Sequence, residues 1–61
     1  MRKFLVAYKY STYIGIKTIE VTLDFGIKTN SDTFIHLISS LLNTNDKEYV
    51  TEIISWSLIE N

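Results

Sequence analysis

Apolar and polar residues alternate in three stretches of this chain and follow a helical period in one. The cleanest alternation is at residues 17–25, where Ile19, Val21, Leu23 and Phe25 fall on one side and Thr18, Glu20, Thr22 and Asp24 on the other. Period two with one polar face predicts a half-buried strand. Residues 3–13 are rich in aromatic and β-branched types and predict another. There Phe4, Val6, Tyr8 and Tyr10 share one face and Leu5 and Ala7 the other, so both faces are apolar near its start, as in a central strand. Gly15, free to take positive φ, marks a turn over residues 12–16 that closes these two strands into a hairpin. Gly26 ends or bulges the second strand. Residues 49–59 predict a third strand, with Val50, Glu52, Ile54, Trp56 and Leu58 alternating against Thr51, Ile53, Ser55 and Ser57. Ile53 breaks its amphipathy and places an apolar residue on each side.

Between the second and third strands the period changes. Residues 29–33, Thr-Asn-Ser-Asp-Thr, are helix N-cap types, and Asp32 suits the positive end of a helix dipole. Phe34, Ile35, Leu37, Ile38, Leu41 and Leu42 follow at helical spacing, and Asn43-Thr44-Asn45-Asp46 stops the run. The order is β-β-α-β. With the hairpin first and the last strand returning beside the first, this is an α+β two-layer domain: a three-stranded antiparallel sheet in the order 2-1-3 with one helix on one face. One helix covers one side only. The second strand supplies a polar outer face, but the first and third have apolar residues to spare. The expectation is therefore a helix-free face carrying some of Tyr8, Tyr10 and Trp56, an exposed patch of the kind that marks an interaction surface.

Size sharpens this picture. At 61 residues there is one domain, 1–61, and a domain so small buries only about 60% of its unfolded surface. Small domains lean on disulfides, a metal or a partner subunit. There is no Cys, and the lone His36 without any thiolate argues against a structural zinc, which leaves a homodimer as the expected support. The opening Met-Arg-Lys-Phe-Leu-Val-Ala-Tyr imitates a secretion signal, but its apolar run ends at Lys9 with no small-residue cleavage site after it. No stretch approaches the ~18 apolar residues of a membrane span. The expected location is the cytoplasm, with no membrane association.

Charge is unevenly spread. Arg2, Lys3, Lys9 and Lys17 carry the first 17 residues, while Lys28 and Lys47 face seven acids in the rest. The simplest account is that basic and acidic strands pair side by side. A second account is nucleic-acid binding, since Tyr8-Lys9-Tyr10, with Tyr13 and Lys17 beyond, interleaves aromatic and basic residues. The seven acids and the missing RNP-type pattern argue against it. Catalysis has little to work with. His36 stands between Ile35 and Leu37 with no adjacent acid, no two carboxylates form an obvious acid–base pair, and two Gly do not build a phosphate loop. No catalytic, cofactor or metal-binding residue is expected.

Several features resemble small early proteins of bacterial viruses and mobile elements: the Lys3-Phe4-Leu5-Val6-Ala7-Tyr8 start, the strand ending Leu23-Asp24-Phe25, a short capped helix, and the closing Ile53-Ile54-Ser55-Trp56-Ser57-Leu58-Ile59-Glu60-Asn61. These patterns span most of the chain. Within that group it is most similar to the anti-defence proteins of the Hachiman type, which implies a homodimer and a bacterial defence protein as target, in the host cytoplasm. Taken together, these readings predict a non-enzymatic inhibitor of a host protein, with Tyr8, Tyr10, Tyr13 and Trp56 as interface residues. The alternatives are a small nucleic-acid-binding regulatory protein using Arg2, Lys3, Lys9 and Lys17, and a dimer that sequesters a small signalling ligand.

Overall fold

In the computed structural model, which describes residues 1–61, strand β1 (Arg2–Tyr10) lies between β2 (Lys17–Leu23) and β3 (Val50–Glu60), and helix α1 (Ser31–Leu42) packs on one face. Both neighbours run antiparallel to β1, in the order β2-β1-β3. This is the predicted β-β-α-β domain. No helix is long and apolar enough to cross a membrane.

Each boundary has a local cause. β1 ends at Tyr10 rather than running to residue 13, because Tyr13 N–H donates to the Tyr10 carbonyl and turns the chain. Ser11 then ties that end of β1 to the start of β3: its amide donates to Tyr49 O, while its hydroxyl accepts from Tyr49 N–H and donates to Lys47 O. β2 stops at Leu23, and a turn closed by Ile27 N–H to Asp24 O takes over. Asn30 caps α1, its side-chain oxygen accepting from Thr33 N–H at 2.9 Å, with Asp32 in the first turn. Asn43 adopts the left-handed conformation at the helix end (φ 52°), where the Asn43 and Thr44 amides satisfy the Ser40 and Ser39 carbonyls.

Nine buried residues form the core: Phe4, Val6 and Tyr8 from β1, Val21 and Leu23 from β2, Phe34 and Ile38 from α1, and Val50 and Ile53 from β3. At its centre Phe34 is fully buried between Phe4, edge-to-face at 5.4 Å, and Trp56 at 5.2 Å. Leu41 lies near the same helical stripe, at the end of α1, and stays 55% exposed.

Two expectations are corrected. The first concerns β3. Ile53, not Ile54, enters the core, opposite Tyr8, while Ser55 lies opposite Ala7. Ile54 is the extra residue of a bulge, and similar register shifts leave Thr51 and Ile59 without partners on β1. The strict alternation over residues 49–59 is broken at these points. The second concerns the helix-free face. Tyr8, Tyr10 and Trp56 all lie on the helix side, since their partners and neighbours belong to the core. The open face instead carries Lys3, Leu5 and Ala7 of β1, flanked by Thr18, Glu20 and Thr22 on β2 and by Ser55, Ser57 and Glu60 on β3. Lys3 bridges Glu20 at 3.9 Å and Glu60 at 3.6 Å, so the basic first strand is neutralised by the acidic edges.

At ~0.05–0.15 kcal/mol per residue, a domain of this size has roughly 3–9 kcal/mol of stability in total. Phe34→Ala removes the ring on which the sheet and helix close, and is expected to cost about 3–5 kcal/mol, a large part of that total. Leu41→Ala, one helical stripe position further along but exposed, is expected to change stability by less than about 0.5 kcal/mol. Urea denaturation of the two variants checks both values, and equal losses would contradict the position of α1 on the sheet.

Candidate functional site

The end of the molecule where β1 passes into β2 brings together three of the four aromatic residues that the sequence singles out, Tyr8, Tyr10 and Tyr13, with Lys17. A shallow cleft of about 190 Å³ is lined by Tyr8, Tyr10, Lys17 and Leu42. Each arrives for a local reason. Tyr8 and Tyr10 are two apart on a strand, so both rings face α1, and they meet edge-to-face at 6.4 Å. Lys17 opens β2 directly opposite Tyr8. Leu42 is the last residue of α1, whose axis carries it to this end of the sheet.

Lys17 also joins the cleft to the hairpin tip, since its ammonium sits 4.7 Å from the centre of the Tyr13 ring, a cation–π distance. On its other flank Tyr13 lies against Gly15. A Cβ on Gly15 would fall 3.3 Å from Tyr13 Cε2, and the backbone there has φ +124°, a conformation L side chains rarely adopt. The glycine thus makes the turn and leaves room for the ring. Beside it Ile14 is fully exposed, Ile16 54% exposed and Tyr13 49% exposed. The Tyr13 ring thus stands between Gly15 and Lys17 with two uncovered isoleucines beside it.

Of the four expected interface residues, the structure gathers three at this end and leaves Trp56 apart. Tyr8 is only 4% exposed. Most of its area belongs to the core, so only its edge on the cleft is offered to a ligand, which corrects its reading as an exposed anchor. Tyr10 is half-buried beside it. Tyr13 stands free at the tip. Trp56 packs on Phe34 and is 36% exposed at the β3 edge. Ile14, Ile16 and Leu42 were not singled out by their sequence pattern as site residues, and Lys17 only for the nucleic-acid alternative. The signal for the two isoleucines is present: Ile14-Gly15-Ile16 puts apolar residues in a turn, where polar ones are usual.

The four N-terminal cations are mostly engaged. Arg2 donates to Thr29 Oγ1 at 3.0 Å, Asp24 O at 2.8 Å and Ile27 O at 2.6 Å, and its guanidinium lies near the Phe4 and Phe25 rings at 5.7 and 5.9 Å. It holds the 24–29 connection against the end of the sheet. Lys3 is bridged to two acids and Lys17 to Tyr13. His36 is exposed on α1, and no three His, Asp or Glu side chains converge on one point. The cleft, at about 190 Å³, is below the roughly 300–1,000 Å³ of ordinary small-molecule sites. No family profile matches the chain, and no curated protein or solved structure is significantly similar to it.

Burial, and then the neighbouring Tyr10, push the Tyr8 phenol above its ordinary value. The native state therefore prefers the neutral phenol. Its contribution to stability is complete below the unfolded-state value near 10 and is lost as pH rises through the folded one. An alkaline absorbance titration is expected to show a late tyrosine ionisation, and Tyr8→Phe should remove that step. Gly15→Ala, which strains the turn and crowds Tyr13, is expected to cost about 1 kcal/mol or more and to alter the Tyr13 ring signals in NMR. An unchanged melting temperature and spectrum would show that the turn does not hold the ring.

Proposed function

We propose that the chain is a non-enzymatic protein-binding domain, acting as a homodimer, that inhibits a bacterial host protein by covering part of its surface. The observation that carries this reading is the distribution of its apolar side chains. Thirteen large hydrophobic residues are more than a third exposed, against nine residues buried in the core. Single exposed apolar residues are ordinary, but here they gather at the hairpin tip, as Tyr13, Ile14 and Ile16, and on β3, as Ile54, Trp56, Leu58 and Ile59. Two separate clusters suit two partners, a second copy of the chain and a target.

We assign the target contact to the hairpin tip and its cleft. Tyr and Ile supply contact area, and the Tyr13 ring stands between Gly15 and Lys17. The resemblance to anti-defence proteins of the Hachiman type gives the target class, a bacterial antiviral protein in the cytoplasm. The nucleic-acid alternative loses support from the engagement of Arg2, Lys3 and Lys17 within the domain.

The test is expression in bacteria that carry such a defence system. Wild-type chain is expected to restore phage plating and to retain one stoichiometric host protein through nuclease treatment. Ile14→Asp and Tyr13→Ala, both outside the core, should fold normally and weaken that binding by about 2 kcal/mol or more, roughly 30-fold. A diffuse set of partners lost on nuclease treatment would replace this reading with nucleic-acid binding. Full activity in both variants would remove the hairpin tip from the interface.

A further inference from the structure

The two edges of the sheet differ in what they leave uncovered. β2 pairs with β1 without a register shift, and its helix-side Val21 and Leu23 are buried. It also carries Lys17 and Glu20, charges of the kind that guard a free edge. β3 is longer, and seven consecutive residues, Ile53 to Ile59, carry no charge. Four of them remain substantially exposed: Ile54 at 39%, Trp56 at 36%, Leu58 at 48% and Ile59 at 48%. An uncharged edge of high β propensity without Pro or Gly is a template for another strand, and it is hazardous when left open.

The seven residues also read nearly the same from both ends. Ile-Ile-Ser-Trp-Ser-Leu-Ile is symmetric in residue class about Trp56. Two copies of one strand related by a two-fold axis pair antiparallel, each position meeting its mirror position, so a run of this kind is complementary to itself. We propose that β3 pairs with β3 of a second copy of this chain, with Trp56 at the two-fold axis, to make one continuous six-stranded sheet. The proposal rests on the homodimer reading above and assigns its edge and register.

In this register Ser55 lies opposite Ser57 of the partner subunit, Ile54 opposite Leu58 of the partner subunit and Ile53 opposite Ile59 of the partner subunit. The axis falls within Ser55–Leu58, the stretch of β3 that pairs with β1 without a shift. A two-fold axis perpendicular to the sheet keeps both helices on one side. Trp56, opposite Val6 on the helix side and packed on Phe34 of its own α1, thus meets Trp56 of the partner subunit at the seam, and Leu58, opposite Phe4, meets Ile54 of the partner subunit.

Charge closes the run at both ends. Glu52 and Glu60 bound it, and this register places Glu52 opposite Glu60 of the partner subunit, a like-charge pair that the register carries as a cost. Both have a basic neighbour in their own subunit: Lys9 pairs with Glu52 in the β1–β3 register, and Lys3 is 3.6 Å from Glu60.

Sedimentation equilibrium tests this directly. The wild-type chain is expected to be a dimer. A chain with Ser55→Lys and Ser57→Lys faces lysine with lysine across the seam, and one with Ser55→Glu and Ser57→Glu faces acid with acid. Each alone should raise the dimer dissociation constant by about 30-fold or more. Mixed in equal amounts, the two should form a heterodimer containing one of each. Thr18→Lys, on the open face of β2, should remain dimeric and rules on both the other edge and the open face. Circular dichroism confirms that each variant is folded. A monomeric wild type would overturn this assignment and the homodimer reading together. A dimeric wild type whose serine variants stay dimeric, whose mixture fails to associate, or which Thr18→Lys dissociates would overturn the edge assignment alone.

Discussion

The domain closes on one aromatic side chain. Phe34 enters between Phe4 of the central strand and Trp56 of the edge strand, and it is the only point where the described rings of helix and both these strands meet. In a chain with nine buried residues there is no second layer to share the load. Everything around α1 serves that insertion. Asn30 and Asn43 fix where the helix begins and ends, and Arg2 holds the preceding connection by three hydrogen bonds. The axis thus fixed carries Leu42 to the cleft beside Tyr8 and Tyr10. The candidate site is built from the far end of the same helix whose first turn completes the core.

Most of this architecture is legible in the residues, because it depends on local periodicity. The alternation of Ile19, Val21 and Leu23 against Thr18, Glu20 and Thr22 holds to the end of β2, which pairs without interruption, while Phe25, expected on the same face, lies beyond the strand in an exposed turn. The wide stripe from Phe34 to Leu42 predicts both the helix and its excess width. The same reasoning fails on β3, where Val50 and Ile53 both enter the core although three positions separate them. No local signal distinguishes Ile53 from Ile54 there. The choice is made by Tyr8, a residue more than forty positions away, which pairs with Ile53 and leaves Ile54 as the extra residue of a bulge.

The aromatic residues show a second limit of pattern reading. Tyr8, Tyr10 and Trp56 are apolar enough for a core and polar enough for a surface, so their composition does not say which side of the sheet they take. Strand parity does. Phe4, Val6, Tyr8 and Tyr10 share a face, and a helix with Phe34 and Ile38 must cover the face that holds Phe4 and Val6. The other side is left with Lys3, Leu5 and Ala7, which suit water, small neighbours and the two glutamates that Lys3 bridges. Those exposed ion pairs contribute little to stability, at most about 1 kcal/mol each. Their effect is on what the surface attracts, because a lysine already shared by two acids is a poor ligand for phosphate.

The separation of the two apolar clusters follows from the topology. In the order β2-β1-β3 the hairpin tip lies at one end of the sheet, while Trp56 and Leu58 lie along its long edge, opposite Val6 and Phe4. A partner strand laid along β3 leaves the β1–β2 turn unobstructed. Two copies joined by a perpendicular axis would present two hairpin tips, at opposite ends of a six-stranded sheet. Trp56 belongs to both the core and the edge, so association at that edge would shield the same ring on which Phe34 rests. Dimerisation would then stabilise the fold itself, and a domain too small to bury an ample core would complete it with a second copy.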